Sequence, residues 1–399
     1  MARELRFVRR LVMAAACLVL FVPQTHAQER PDPEGAQQTL RATRGPAPAE
    51  DTRSQVSDGT GASVAQPPGR LGAIGDSLTD EYFEQGYDYA RNWTELLVEE
   101  RGLTFGPTAV QASQPGGTWG EPRRTGYEDN WARYAATTDD AIAAGQHTGV
   151  AAGVLTRGVS HVTVCIGVND FMPIYGAWDV IYDGTWSQLQ IDVWIASRIG
   201  KLEEMLDVVQ PTGAAILVLD NLDPSPMPLV QSYYADPVRR EAVATALGQF
   251  GAEIHDMVQR RADRVLVFLD SFALWRAIFG TNLAPRQTLL VGNVPIDLDQ
   301  CDTAIGGVPT AAFVHDCVHP NTVLQALWAN AIITAFNMGY GTQLMPFSEA
   351  EMLAAAGIPY GGSDTLEQEI GPLEAFVTVF IFTDSFESGD TSAWSAAAP

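Results

Sequence analysis

Residues 71–80 read LGAIGDSLTD, a short apolar run that ends in glycine, aspartate and serine. A helical pattern of apolar residues begins a few positions later. This order is typical of a buried strand that delivers a serine to a turn at the carboxyl edge of a sheet. Serines are common in such turns, so Ser77 does not by itself indicate catalysis.

Two later stretches carry groups that would complete a reaction centre. Residues 167–170 read GVND after another apolar run, and residues 316–321 read DCVHPN. Asp316 and His319 are three positions apart, so the carboxylate can reach Nδ1 of the imidazole within one turn, and an oriented imidazole can activate a serine hydroxyl. The adjacent His315 lacks both this spacing and the Pro-Asn that follows His319.

These three motifs, in this order, resemble the SGNH (GDSL) hydrolase family over about residues 71–340. The resemblance implies a serine esterase in which Ser77 is the nucleophile, His319 the base and Asp316 the residue that orients it. The nucleophile elbow G-x-S-x-G of the α/β-hydrolases is absent from the sequence. This mechanism requires no metal and no organic cofactor.

The family resemblance also implies an oxyanion hole with three donors. They are the backbone N–H of Ser77, the side-chain amide of Asn169, and a glycine N–H in the loop after the second strand. Gly116 is the predicted glycine, with Gly117 as the alternative, because this loop has about one residue more than the usual pattern.

Apolar and amphipathic segments alternate along the central part of the chain. The pattern predicts strands at 71–74, 108–112, 161–166, 214–219 and 265–269, and helices at 89–102, 194–209, 237–261 and 321–338. Such alternation predicts an α/β protein with a parallel sheet covered on both faces. The family resemblance specifies it further, as a flavodoxin-like three-layer α/β/α sandwich with a five-stranded parallel sheet.

The chain divides into four predicted segments. Basic residues, an apolar stretch at 11–22 and a cleavage site near Ala27 predict a signal peptide over residues 1–27. Residues 28–70, rich in Pro, Gly and Ala, are predicted to form a disordered linker. The hydrolase domain is expected at 71–345, and 346–399 is expected to be a partly disordered C-terminal extension with a short tag-like end.

Charge and cysteine usage narrow the partners and the compartment. A formal net charge of −24 argues against nucleic acid as a partner, because phosphate binding needs a concentrated positive surface. The apolar stretch near the start is too short for stable membrane insertion. The predicted location is secreted or periplasmic, where a disulfide between Cys301 and Cys317 would hold the segment that carries the histidine. The absence of CxxC spacing argues against a metal site at the cysteines.

Aromatic residues are concentrated between positions 119 and 194. They either pack inserts onto the domain or line a cleft for a sugar ring, an aryl group or an acyl group. The predicted function is an exported serine esterase that hydrolyses carboxylic esters of small molecules or polysaccharides, such as short-chain or carbohydrate acetyl esters. The alternatives are a carbohydrate O-acyltransferase and a catalytically silent, carbohydrate-binding relative. The sequence leaves the oligomeric state open.

Overall fold

Apolar strands that follow one another along the chain pair in parallel. In the computed structural model, which describes residues 69–113, 125–261, 266–302 and 305–380, they are β1 Arg70–Gly75, β2 Val159–Cys165, β3 Ala215–Leu219 and β4 Leu266–Leu269. Each strand is parallel to the next, and the four lie in this order in one sheet. Most of their side chains are buried, which is typical of a parallel sheet covered by helices on both faces.

The remaining elements cover this sheet and extend it. The other strands are β5 Gly280–Thr281, β6 Ala284–Pro285, β7 Thr288–Val291, β8 Val294–Cys301, β9 Ala311–Phe313 and β10 Val377–Phe380. The α-helices are α1 Tyr82–Gln85, α2 Trp93–Arg101, α3 Thr138–Ala143, α4 Gln146–Arg157, α5 Trp178–Tyr182, α6 Gln188–Val209, α7 Pro228–Tyr233, α8 Pro237–Arg260, α9 Ser271–Phe279, α10 Thr322–Tyr340, α11 Glu349–Ala355 and α12 Leu366–Ile370. Helices α4, α6 and α8 pack together, and α2 packs on α10, so two sets of helices flank the sheet. The predicted α/β/α class is confirmed.

The fifth strand of the sheet comes from the C-terminal part of the chain. Strand β10 pairs with β4 and runs antiparallel to it, with Val377 opposite Leu269 and Phe380 opposite Leu266. The sheet is therefore parallel except at this edge. It also continues past residue 345, where the hydrolase domain was expected to end, because β10 supplies the backbone partners that the edge of β4 would otherwise lack.

The strand predicted at 108–112 is wrong. Residues there form a turn in which the N–H of Ala112 donates to the carbonyl of Thr108 at 3.0 Å, and Val110 is 78% exposed. Residues 129–133 run along the outer edge of β1 instead: Ala73 N–H donates to the carbonyl of Asp129 at 3.0 Å, and Trp131 N–H donates to that of Ala73 at 2.9 Å. A five-residue apolar run could not reveal that a later segment occupies this edge.

A small second sheet leads into the residues around position 316. Strands β7 and β8 are antiparallel, β8 and β9 are parallel, and Cys301 at the end of β8 pairs with Phe313 at the end of β9. Helix α10 begins directly after this region because the Asn321 side chain caps it, accepting the N–H of Leu324 at 3.0 Å. The long helix predicted from residue 321 is present.

Within the described ranges, no helix combines the length and apolar character needed to cross a bilayer. The predicted signal peptide at 1–27 and the predicted linker at 28–70 lie outside those ranges, apart from the last two linker positions.

Candidate active site

The turn after β1 presents Ser77 at the carboxyl edge of the sheet. The N–H groups of Thr79 and Asp80 both donate to the carbonyl of Asp76, at 3.0 and 2.9 Å, which closes the turn. A side chain at Gly75 would come within 2.8 Å of Thr79, so this position requires glycine. The carbonyl of Ser77 accepts a hydrogen bond from Gln85 Nε2 at 2.8 Å. Ser77 itself is 9% exposed.

The turn after β2 presents Asn169 at the same edge. Gly75 pairs with Cys165 at the ends of the two parallel strands, so the residues that follow leave the sheet side by side. Gly167 has a φ of +128°, which favours glycine, and starts a single 3₁₀ turn over Val168–Asp170. The Asn169 amide is nearly buried and donates to the carbonyl of Ala136 at 3.0 Å.

Asp170 anchors this second turn through a buried ion pair. Arg198, on α6, donates to Asp170 Oδ1 at 2.9 Å and also contacts Asp139 at 2.6 Å. The N–H and the hydroxyl of Thr138 both donate to the Asp170 carboxylate at 2.9 Å. Burial raises the pKa of Asp170, while Thr138 and Arg198 oppose the increase. The carboxylate therefore ties the Asn169 turn to α3 and α6.

The third segment brings Asp316 and His319 into direct contact. Asp316 Oδ2 contacts His319 Nδ1, while Oδ1 accepts the N–H groups of Val318 at 2.8 Å and His319 at 3.0 Å. Burial alone would raise the pKa of Asp316, but His319 and these N–H groups outweigh burial and lower it. An ionised, fully hydrogen-bonded carboxylate thus holds the imidazole by its Nδ1 side.

A disulfide joins this segment to the second sheet. Cys301 and Cys317 are bonded, with their Cα atoms 5.1 Å apart, so the predicted pairing is confirmed. Cys317 has a φ of +62°, a left-handed conformation that is uncommon for a residue other than glycine. The N–H of Val314 also donates to the carbonyl of His319 at 2.9 Å, which closes the segment into a compact loop.

The serine turn and the histidine loop lie close together without a hydrogen bond between them. Burial raises the pKa of Asp76 to about 7, and the N–H of Leu78 and the nearby His319 ring oppose this increase. In the part of the chain that the structure describes, Ser77 Oγ makes no hydrogen bond to His319. The predicted oxyanion donor Gly116, and its alternative Gly117, lie outside the described residues.

Three tyrosine rings of the described residues lie around His319, and two of them carry no signal in the sequence. The ring centroids of Tyr82, Tyr87 and Tyr134 lie 6.2, 5.5 and 5.8 Å from that of His319. Tyr134 lies in the aromatic stretch at 119–194, whereas Trp178 of the same stretch is fully buried in the core. No local signal could identify Tyr82 or Tyr87, since more than 200 residues separate each from the histidine.

One acidic cluster near the serine turn has the spacing of a cation site. The carboxylates of Asp80, Glu81 and Glu84 lie close together. However, the Arg133 guanidinium donates to Asp80 at 2.9 Å and to Glu84 at 3.0 Å. The arginine charge offsets part of the negative charge of this cluster and occupies two of its carboxylates, so the arrangement fits an internal ion pair rather than a metal site.

Residues 71–332 match the family profile described as GDSL-like Lipase/Acylhydrolase. No curated protein sequence is significantly similar to the chain. Among solved structures, Axe2, an acetylxylan esterase from Geobacillus stearothermophilus, is 17% identical, with 70% of this chain and 97% of that chain covered and a TM-score of 0.34. LAE5, an α/β hydrolase enzyme from the metagenome of Lake Arreo, Spain, is also 17% identical, with 69% and 96% covered and a TM-score of 0.36. These identities and TM-scores are too low to support an inference about fold or substrate, so the assignment to a family relies on the profile match.

Proposed function

The chain belongs to the GDSL-like lipase/acylhydrolase family and is an ester-bond hydrolase, and from this premise we propose that it works through a Ser77–His319–Asp316 triad. The contact between Asp316 Oδ2 and His319 Nδ1, beside the turn that carries Ser77, is the observation on which the proposal rests. These residues occupy the three motifs of the family in the family's order.

The first half of the reaction forms an acyl-enzyme. Ser77 Oγ attacks the ester carbonyl carbon while Nε2 of His319 takes the hydroxyl proton. Asp316 accepts the hydrogen bond from Nδ1–H, which keeps Nε2 unprotonated before attack and stabilises the imidazolium afterwards. His319 then returns the proton to the leaving alcohol as the carbon–oxygen bond breaks.

The second half releases the acid. Water attacks the acyl-serine carbonyl, His319 accepts a proton from that water, and Ser77 Oγ leaves with the proton restored. The same groups therefore act in both half-reactions, in reverse order, and neither half-reaction requires a cofactor.

The charge that develops on the carbonyl oxygen requires donors at the sheet edge. We assign this role to the N–H of Ser77, the N–H of Gly116 and the side-chain amide of Asn169, each of which would contribute about 10²- to 10³-fold in rate. A side-chain amide has two N–H donors. One Asn169 N–H is held by the carbonyl of Ala136 at 3.0 Å, which orients the amide and leaves the other available.

The resting geometry is compatible with this mechanism. Ser77 Oγ is not hydrogen-bonded to His319 among the described residues, but catalytic hydrogen bonds are often long or unformed before substrate binds. Rotation about one side-chain bond moves the serine hydroxyl without disturbing the turn. The backbone of that turn is held by Asp76 and Gln85.

The proposed substrate is a carboxylic ester, such as a short-chain ester or a carbohydrate acetyl ester, and the proposed location is outside the cytoplasm. The Cys301–Cys317 disulfide supports export, because such bonds persist in oxidising compartments. The residue pattern at 1–27 supports it independently.

The triad is tested by hydrolysis of p-nitrophenyl esters from acetyl to palmitoyl. We expect Ser77→Ala to lower kcat/KM at least ~10⁴-fold, since the nucleophile is lost. Ser232→Ala is the matched control, because that exposed hydroxyl only donates to the carbonyl of Leu229 and should leave the rate unchanged. The rate profile over chain length measures the size of the acyl pocket.

A covalent probe separates the nucleophile from general effects on folding. A fluorophosphonate should add its phosphonyl mass to a peptide containing Ser77 in the wild type, and nothing to Ser77→Ala. Equal hydrolysis by wild type and Ser77→Ala, or no hydrolysis of any ester by folded wild-type protein, would contradict the proposed mechanism.

A further inference from the structure

We propose that Tyr87 is a positioning residue of this site: its hydroxyl holds Asp316 so that the carboxylate presents Oδ2 to His319. The proposal rests on the triad proposed above. Tyr87 OH donates to Asp316 Oδ2 at 2.7 Å, the same oxygen that contacts His319 Nδ1.

The hydrogen bonds of Asp316 explain why this donor matters. Oδ1 accepts two backbone N–H groups, from Val318 and His319, which fix one edge of the carboxylate. Among the described residues, Oδ2 accepts from two side-chain donors, Tyr87 OH and His319 Nδ1. Without the tyrosine, Oδ2 would be held by the imidazole alone, which is the group that it has to orient.

The tyrosine hydroxyl is suited to this role by its burial. Tyr87 is 4% exposed, and burial together with the adjacent Asp316 charge raises the pKa of its hydroxyl well above the usual value. The hydroxyl therefore stays protonated and remains a donor at any working pH. Its 3.4 Å separation from His319 Nδ1 is longer than its bond to Asp316, so the carboxylate is its principal partner.

Tyr87 is itself placed by the segment that follows the nucleophile. Its N–H donates to the carbonyl of Tyr82 at 2.9 Å, across Gly86, whose φ is +84°. Tyr82 in turn donates its hydroxyl to the carbonyl of Pro320 at 2.8 Å. The short stretch after Ser77 thus reaches the histidine loop through both of these tyrosines and links the two halves of the site.

The loss of this hydroxyl should change the pH dependence of catalysis in a defined direction. The O–H dipole of Tyr87 offsets part of the negative charge on Asp316 Oδ2. Without it the imidazole would experience more of that charge, so the acidic limb of the rate profile should move to higher pH. The titratable or charged groups that face His319 are Asp316, Asp76, Tyr82, Tyr87 and Tyr134.

The chain offers a closely matched pair of variants. Tyr87→Phe removes one oxygen and keeps the ring that packs against His319. Tyr89→Phe removes a hydroxyl two positions away that contacts Nδ1 of His315 at 2.6 Å and accepts the N–H of His315 at 3.0 Å, and that makes no hydrogen bond to the proposed triad. Both variants lose a tyrosine hydroxyl beside a histidine, and only the first should affect catalysis.

The experiment measures the pH profile of p-nitrophenyl acetate hydrolysis by the full-length protein. We expect Tyr87→Phe to move the acidic limb of kcat/KM upward by ~0.5 pH unit. We also expect kcat to fall about 10-fold with KM unchanged, because Tyr87 orients the catalytic groups and does not contact the substrate. Tyr89→Phe should match the wild type in each measurement.

The two proposals fail differently. A Tyr87→Phe protein whose pH profile and kcat match those of the wild type, while Ser77→Ala is inactive, would overturn the role of Tyr87 and leave the triad standing. A parallel loss of kcat in Tyr87→Phe and Tyr89→Phe, with no shift of the pH profile, would likewise overturn it, because it would indicate a packing effect. Full activity of Ser77→Ala would overturn the triad, whatever the pH profiles show.

Discussion

The two halves of the site are held in different ways. The strand half consists of the turns after β1 and β2, and strand register sets their positions at one sheet edge. The loop half, residues 314–321, follows the three-residue strand β9. A disulfide and three tyrosines from the segment after the nucleophile link it to the rest of the protein. Backbone pairing thus places the serine and asparagine, whereas side-chain links place the histidine.

This difference predicts how each half responds to damage. Strand positions are supported by hydrogen bonds and burial along the whole sheet, so disturbing them should affect the stability of the entire domain. The loop half depends on a few separate links, so the loss of one link should act more locally.

The largest expected effect is on the buried ion pair of the strand half. Arg198→Met should lower the free energy of unfolding by about 3 kcal/mol or more, because Asp170 would remain buried without its cation. Urea unfolding at pH 7 measures this change. Lys201→Met is the control on the same helix: its side chain is 34% exposed and pairs with exposed carboxylates, so its loss should cost less than about 1 kcal/mol. Equal losses for the two variants would indicate that the Asp170 anchor is unimportant.

Removal of the disulfide should have a somewhat smaller effect, centred on the loop half. Cys301 and Cys317 are separated by 16 positions, and a loop of this size corresponds to about 3 kcal/mol in the chain-entropy account. The variant Cys301→Ser/Cys317→Ser should lose up to this amount of unfolding free energy, measured in urea. Reduction of the wild type with dithiothreitol should reproduce the loss and leave the variant unaffected. An unchanged unfolding midpoint in both proteins would show that the bond contributes little to stability.

The smallest expected effect compares the two buried aspartates of the strand half. Asp170 has Arg198 as a partner, whereas Asp76 Oδ2 has no hydrogen-bond partner among the described residues. Burial raises the pKa of Asp76 to about 7, above its value of 3.8 in the unfolded chain. The folded state therefore retains this proton longer than the unfolded state, so the carboxyl costs stability that grows as pH rises towards 7.

Asp76→Asn removes this titration. Relative to the wild type, the variant should gain about 2 kcal/mol of unfolding free energy between pH 5 and pH 8, as measured by urea unfolding at both values. The pH dependence is the informative quantity, since the amide changes local hydrogen bonds at every pH. For Asp299→Asn, at an exposed position, the free energy of unfolding should depend on pH as it does in the wild type. If the free energy of unfolding of Asp76→Asn also shows the same pH dependence as the wild type, Asp76 is already ionised at pH 5.

The prediction of the fold succeeded where a pattern was repeated and failed where it was short. Four parallel strands and the long helices were visible as apolar runs and helical spacing. The run at 108–112 has strand composition but forms a turn, because residues 129–133 make the backbone hydrogen bonds at the edge of β1. Residues beyond 345 were expected to form an extension, but β10, which lies among them, pairs with the edge of β4 in antiparallel orientation.

The sequence alone determined the groups that can react and their local arrangement. Ser77 follows a strand, Asn169 follows the neighbouring strand, and Asp316 and His319 are three positions apart, all of which follow from short-range chain geometry. Tertiary structure decided what holds those groups: Arg198 on Asp170, Tyr87 on Asp316, and the segment that closes the β1 edge. Each of these contacts joins residues 28 or more positions apart, and no local pattern encodes a pairing that the chain makes only when it is folded.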